Sequence, residues 1–389
     1  MELVAWLIRV LFRALSLFPQ QRKIVLLSRQ AARPFDFSLI EPELARRFPN
    51  HRIVWSCVAT IGEMSVPLML QQLWHVATAD LCLVDGYVPA VSLPRRHRAL
   101  VVQEWHALGA IKKFGYQSLD TAAGRSTHAA SALRMHRGYD FVIAGMPGAV
   151  EAFSEAFDVP REKIVPLGLP RIDYLCSDAL ASARARRFAR ADKALKEAFF
   201  TYPDASSCAR TVLYAPTFRK GNDDPQWLEH AVLALCSALS GTSTRLVVAE
   251  HPLDGVHECA RALGTPVAFM RGVPTIDLLH TADYVITDYS TVAFEAGFAG
   301  RPTLFYVPDI EEYRVSPGLN IDPLRELSTI SFTDAHELAE VLLGARPYDA
   351  EAFSAFMDAS SQGVREGSIT RIVDALEDAL ARPKMLESA

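Results

Sequence analysis

Two histidines, a set of cations and one polar turn are the side chains of this chain best suited to move a proton and hold a phosphate. His106 stands in Gln103-Glu-Trp-His-Ala-Leu-Gly-Ala-Ile-Lys-Lys-Phe-Gly-Tyr116, close to Lys112 and Lys113, and His251 stands in Glu250-His251-Pro252. Arg219 and Lys220 end the run Ala215-Pro-Thr-Phe-Arg-Lys220, and Asp288-Tyr289-Ser290-Thr291 make the polar turn. A histidine with a pKa near neutrality can accept the proton of an attacking hydroxyl, while cations and helix N–H groups neutralise charge on a phosphate in transfer. Each histidine alone is weak evidence, because a lone His after a strand is commonly a structural hydrogen-bonder. His128 and His136, with the arginines around them, read as a solvated loop.

The elements that must position these groups are legible from hydrophobic pattern. From His280 to Arg314 the chain reads as strand, polar turn, helix, strand: Tyr284-Val-Ile286 are β-formers, Asp288 or Ser290 suits a helix start, and Gly297 with Gly300-Arg-Pro302 stops the helix before Thr303-Leu-Phe-Tyr-Val307. In such a βαβ unit the turn lies at the carboxyl edge of a parallel sheet, where ligands of α/β proteins bind. Asp288, Tyr289, Ser290 and Thr291 are therefore expected to hold a phosphate or diphosphate, with simple helix capping as the competing reading.

Further β-rich runs are expected at 23–28, 52–55, 79–84, 99–103 and 140–144, and a second series at 211–214, 245–249, 268–270, 284–286 and 303–306. Helix-sized segments separate them, so the fold class is α/β, with two doubly wound Rossmann-like halves facing a cleft, the GT-B type. The expected division is an N-terminal helix (1–19), an acceptor-side domain (20–176), a connecting helix (177–209) and a donor-binding domain (210–389).

Composition excludes disorder: half of the 389 residues are hydrophobic and 22% are charged, and the length suits two domains rather than one. The six cysteines are scattered without a CxxC pair, which argues against a disulfide framework or a zinc site, and no acidic cluster has metal-ligand spacing. No cofactor, metal or nucleic acid is expected. The net charge of -5 hides an asymmetry, since residues 1–60 and 95–138 together carry 17 Lys/Arg against 6 Asp/Glu. A basic side on an acidic protein suits an anionic surface.

The first 18 residues give that surface a shape. Glu2, Arg9, Arg13 and Ser16 fall on one stripe of a helix whose remainder is apolar. Two arginines inside the run disfavour a spanning helix. The expected arrangement is an in-plane interfacial helix, with Trp6, Phe12 and Phe18 inserted in the bilayer and Arg9 and Arg13 at the headgroups. A helix packed on the protein's own core is the alternative.

Taken in order, Trp105-His106 with Lys112-Lys113-Phe114-Gly115, Leu167-Gly-Leu-Pro-Arg-Ile-Asp-Tyr-Leu175, Leu213-Tyr-Ala-Pro-Thr-Phe-Arg219, His251-Pro252, Ala282-Asp-Tyr-Val-Ile-Thr-Asp-Tyr-Ser-Thr291 and Phe305-Tyr306 with Glu311-Glu-Tyr-Arg314 resemble the CDP-glycerol glycerophosphotransferases of teichoic-acid synthesis. The resemblance implies a peripheral enzyme at the cytoplasmic face of the membrane that moves glycerol phosphate from CDP-glycerol to a lipid-linked hydroxyl and releases CMP. It implies His106 as base, His251 as a contact to the donor phosphates, Arg219, Lys220 and residues 288–291 at the donor, and Lys112, Lys113 and Arg171 on the acceptor and phosphate side. Its size is that of a primase adding one unit.

The chain departs from the family pattern at Ala107-Leu-Gly-Ala-Ile111, where many members have Gly and Pro-Leu before the lysine, and at Ile172, where they have Asn. These departures bear on the acceptor. A CDP-ribitol enzyme of the same family, a glycosyltransferase using a nucleotide sugar, and a non-catalytic scaffold are the remaining readings.

Overall fold

Runs of Val, Ile and Leu without a polar alternation need cover on both faces, and parallel sheets flanked by helices supply it. The computed structural model describes residues 2–58, 64–94, 99–200, 202–219, 226–250 and 264–382. Its first half comprises α1 (Glu2–Leu15), β1 (Lys23–Ser28), α2 (Phe35–Arg47), β2 (Arg52–Cys57), α3 (Val66–Ala77), β3 (Leu81–Val84), β4 (Leu100–Glu104), α4 (Thr127–Ala132), β5 (Phe141–Ala144), α5 (Val150–Phe157) and β6 (Ile164–Pro166). These six strands are parallel, in the order β2-β1-β3-β4-β5-β6.

Helices α6 (Pro170–Cys176) and α7 (Ala181–Ala198) lead to the second half. It contains β7 (Arg210–Tyr214), α8 (Trp227–Ala238), β8 (Thr244–Val248), β9 (Val267–Phe269), α9 (Thr275–Leu278), β10 (Tyr284–Thr287), α10 (Val292–Phe298), β11 (Thr303–Tyr306), α11 (Ile310–Val315), α12 (Pro323–Glu326) and β12 (Ser331–Phe332). This sheet is also parallel, ordered β12-β11-β10-β7-β8-β9, and α13 (Ala335–Leu342), α14 (Ala350–Ser361) and α15 (Ser368–Ala381) follow. Each strand expected from the sequence is present within a residue or two. The short β6, which ends in proline, and the two-residue β12 complete the sheets.

Strand order reverses direction between β1 and β3 in the first sheet and between β7 and β10 in the second. A crevice opens at such a switch point beyond the carboxyl ends of the strands. The turns that carry Arg29, Asp85, Thr217 and Asp288 all leave strands at these two places.

The halves are joined by side chains and by backbone. Arg171, on α6, reaches Asp36 of α2 through Nε (3.0 Å) and Nη2, and Glu295 of α10 through Nη1; all three side chains are at most 14% exposed. Burial opposes the charge of Arg171, but Asp36 and Glu295 more than offset that and raise its pKa. Two residues on, Asp173 accepts from the amides of Ser368 and Ile369, both at 2.8 Å, and so holds the start of α15. Arg47 of α2 pairs with Asp374 and Glu377, which lays this last helix back over the first half. Across the other side, Lys112 bridges Leu319 and the Lys113 amide donates to Gly318 at 2.9 Å, while Asn320 and Ile321 donate to the carbonyl of Ile111. Between these links Gly109 lies so close to Phe294 that a Cβ there would be 2.6 Å from the ring.

Two expectations are corrected here. Arg171 is enclosed by carboxylates and takes a structural role instead of meeting a phosphate on the acceptor side. In α1, Phe12 is fully buried against α3 and the first sheet, and Ser16, just beyond the helix, is buried as well, its hydroxyl donating to the Phe12 carbonyl at 2.8 Å. The apolar arc of α1 was wide enough to serve both protein and solvent, so its buried edge carries Phe12 while Trp6, Leu7, Val10, Leu17 and Phe18 stay 45–62% exposed. Arg13 is exposed, and Arg9 turns onto the Ala132 carbonyl at 3.3 Å. Among the described residues no helix is long and apolar enough to cross a membrane.

Removing one member of a buried ion pair typically costs about 3–5 kcal/mol, because its partners are left charged and dry. Arg171→Ala is expected to lower unfolding stability by about that amount, read from the shift of the urea midpoint at unchanged slope. A variant as stable as the parent would remove Arg171 as the link between the halves.

Candidate active site

His106 follows β4 by two residues, and its Nδ1 lies 2.7 Å from the carbonyl oxygen of Asp85, which follows β3. A carbonyl only accepts, so Nδ1 carries the proton and Nε2 keeps a lone pair. That is the tautomer a general base requires. The ring lies deep among protein atoms yet presents its surface to cleft water; burial lowers its pKa, and the carbonyl and charge of Asp85 only partly oppose this. Trp105 fixes the ring from behind, with centroids 4.3 Å apart, and itself stacks on Phe114 at 5.0 Å.

The carboxylate of Asp85 serves the same corner. It accepts from Ser28 Oγ at 2.7 Å and from the Arg29 amide and Gln30 Nε2, both at 3.3 Å, which holds the turn after β1 against the turn after β3. Glu104, the last residue of β4, is buried with both carboxyl oxygens lacking a hydrogen-bond partner among the described residues. Burial, with Asp36 and Asp85 nearby, drives its pKa well above the ordinary carboxylate value.

A cleft of about 830 Å³ opens in front of His106 and is shared by both halves. The first half supplies Arg29, His106, Lys112 and Lys113; the second supplies Arg219, Asp309 and Tyr313. Lys112 is enclosed enough that burial brings its pKa down to about 8, with Asp288 raising and Arg219 lowering it. It is therefore a cation at neutral pH that stands close to losing its proton.

Arg219 is held from every side. Its Nε meets Asp309 at 2.7 Å, Nη2 meets Asp288 at 2.8 Å, and Nη1 donates to the Thr217 carbonyl at 2.8 Å. The guanidinium lies 3.7 Å from the Trp227 ring and 4.8 Å from that of Tyr313, which stacks on Tyr289 at 3.8 Å. Burial disfavours its charge, but Asp288 and Asp309 raise its pKa, so Arg219 is a fixed cation at the cleft wall.

The polar turn needs correction against this geometry. Asp288 is fully buried and accepts from the Thr217 amide (2.9 Å), Thr217 Oγ1 (2.7 Å) and the Tyr289 amide (2.6 Å), so its carboxylate orients Arg219 and the turn after β7 and is covered by protein atoms. Tyr289 is likewise buried, with its hydroxyl donating to Asp309 at 3.0 Å. Ser290 and Thr291 are half-buried at the start of α10; Ser290 Oγ accepts from the Val292 amide at 3.3 Å, and neither residue lines the cleft that holds His106. His136 is also corrected: it is buried among Tyr87, Tyr139 and Phe157, and burial brings its pKa down to about 3. His251 and Lys220 lie outside the described residues.

Sequence reading passed over Arg29, Asp309 and Trp227. The first two leave β1 and β11 at the same carboxyl edge that singled out His106 and Asp288, so the rule that found those residues applies to them as well. Trp227 opens a helix and carries no such signal.

Two parallel sheets with one cleft between their carboxyl edges define a GT-B-like α/β fold. The solved wall teichoic acid polymerase TagF shares it, with a TM-score of 0.68 at 19% identity over 97% of this chain and 93% of that one. Residues 10–378 match the family of CDP-glycerol:poly(glycerophosphate) glycerophosphotransferases, and the chain belongs to that family. The teichoic acid ribitol-phosphate primase of Bacillus spizizenii is 34% identical over 62% of this chain and 60% of its own length. The teichoic acid glycerol-phosphate primase of the same organism is 28% identical over 67% and 65%, so the chain spans somewhat less than two thirds of these relatives.

A histidine titration by NMR is expected to find His106 changing charge below the ordinary value of 6.5. A value at or above 6.5 would mean that Asp85 outweighs burial at this site.

Proposed function

We propose that the chain transfers glycerol phosphate from CDP-glycerol to a hydroxyl of a membrane lipid-linked acceptor, releasing CMP, in the synthesis of teichoic acid or a related surface polymer. The observation that carries this reading is His106, held with Nε2 unprotonated, in a cleft to which the other half contributes a fixed guanidinium. In the step, the acceptor oxygen attacks the phosphorus that bears glycerol, its proton passes to Nε2 of His106, and the bond from that phosphorus to the CMP oxygen breaks. Phosphoryl transfer asks mainly for in-line placement and neutralised charge; Lys112 and Lys113 can supply the charge, and Arg219, paired with Asp288 and Asp309, fixes the cleft wall. Family resemblance adds His251 and Lys220 on the donor side, and Ser290 and Thr291 offer hydroxyls near the same sheet edge.

A CDP-ribitol donor is the second reading, favoured by the higher identity to the ribitol-phosphate primase than to the glycerol-phosphate primase. The exposed face of α1, with Trp6 and Val10 near Arg13, and Leu17 and Phe18 just beyond the helix support docking at the cytoplasmic surface of the membrane. This is peripheral attachment through one side of a helix whose other side belongs to the core.

The direct test offers CDP-glycerol, CDP-ribitol and a UDP-sugar in parallel with a short-chain lipid diphosphate acceptor, and measures CMP or UDP release. CMP from either CDP-polyol, with the polyol phosphate found on the acceptor, supports the reading, and turnover of the UDP-sugar alone overturns it. His106→Ala should lower turnover at least about 100-fold, as the loss of a general base does. Because Lys112 is charged only below about 8, kcat/KM for the donor should fall as pH rises through that value. Lys112→Arg should carry the plateau to higher pH; an unchanged alkaline limb would exclude Lys112 from contact with the phosphate in transfer. Trp6→Glu with Leu17→Glu should weaken binding to anionic liposomes while leaving the melting temperature in place, since neither side chain is in the core.

A further inference from the structure

A second cavity, of about 240 Å³, shares Arg29 with the cleft of His106. Its walls are apolar: Ile8 of α1, Met69 and Leu73 of α3, Ala90 and Leu93 of the turn after β3, and Leu133 just beyond α4. Three arginines, Arg9, Arg29 and Arg134, also line it, and no carboxylate among the described residues does. Arg9 ties α1 to the end of α4 through the Ala132 carbonyl, so the helix that presents the apolar outer face also forms one wall of the cavity.

Exposed apolar side chains also stand on the elements that wall the cavity. Val66 and Leu70 of α3, which packs on α1 and lends Met69 and Leu73 to the cavity, are 65% and 40% exposed, and Leu133 both lines the cavity and is 37% exposed. Inside, Ser92 Oγ is buried and has no hydrogen-bond partner among the described residues. Walls of hydrocarbon, three guanidinium groups and an unsatisfied hydroxyl together match an anionic amphiphile: a hydrocarbon chain that ends in a phosphate.

We propose that this cavity receives the first carbons of the acceptor lipid's hydrocarbon chain, leading its phosphate to Arg29 and its reacting end into the cleft beside His106. The inference rests on the lipid-linked acceptor of the proposed function. It adds that the acceptor is gripped by its chain next to the phosphate, and not by its hydroxyl-bearing end alone. The cavity holds a short stretch of chain; the remainder of a long lipid would stay in the bilayer below α1 and α3.

The test uses the full-length protein and a ten-carbon isoprenyl phosphate kept below its micelle concentration, with binding read by titration calorimetry. Ala132→Trp, at an exposed position on the cavity wall, and Leu133→Asp should each weaken binding at least tenfold. The corresponding ten-carbon alcohol should bind at least tenfold more weakly than the phosphate. Two variants at exposed positions guard against a folding defect, which a thermal melt checks. Equal affinity of parent and both variants, no binding to the parent, or equal affinity for alcohol and phosphate each overturns the proposal. Because binding needs no turnover, probe binding lost in the variants of a protein that releases no CMP would sustain the groove and sink the function. CMP release with the probe unbound would do the reverse.

Discussion

One guanidinium sets the relation between the halves. Arg171 sits where α2 of the first sheet and α10 of the second converge, and the carboxylates it binds come from opposite sides of the cleft. An arginine is suited to this because its planar fork satisfies two carboxylates at once and stays charged when buried. Asp173 then anchors α15, and Arg47 returns that helix to α2. A cleft assembled from two halves can present His106 and Arg219 to one ligand only if such links fix their separation.

Within that frame, the side chains that line the cleft and their supports alternate. Main chain from one strand end, the Asp85 carbonyl, sets the tautomer of a side chain from the next, His106. A buried carboxylate after β10, Asp288, orients a guanidinium after β7. The support residues are the more buried in each pair; a solvent-exposed Asp288 carboxylate would be screened and would hold Arg219 less firmly.

The sheets were legible in the sequence because parallel strands buried on both faces leave unbroken apolar runs, as in Lys23–Ser28 and Leu81–Val84. Legible too was the carboxyl-edge location of His106 and Arg219. Direction was not: a turn such as 288–291 announces polar side chains, but whether Asp288 points to ligand or to Thr217 depends on a partner more than 70 residues away. The apolar arc of α1 likewise revealed how much surface was apolar, without saying that Phe12 would meet protein and Trp6 would not. Arg171 was read from family resemblance as a phosphate contact because its acidic partners, Asp36 and Glu295, lie 135 and 124 positions distant.

The backbone links beside Lys112 carry a consequence of their own. The amides of Lys113, Asn320 and Ile321 each bond to a carbonyl of the opposite half, so they meet solvent only when the halves part. Their hydrogen-exchange protection is a built-in gauge of how often the cleft gapes. A ligand spanning both walls would slow these three amides together while leaving those of the strand interiors unchanged.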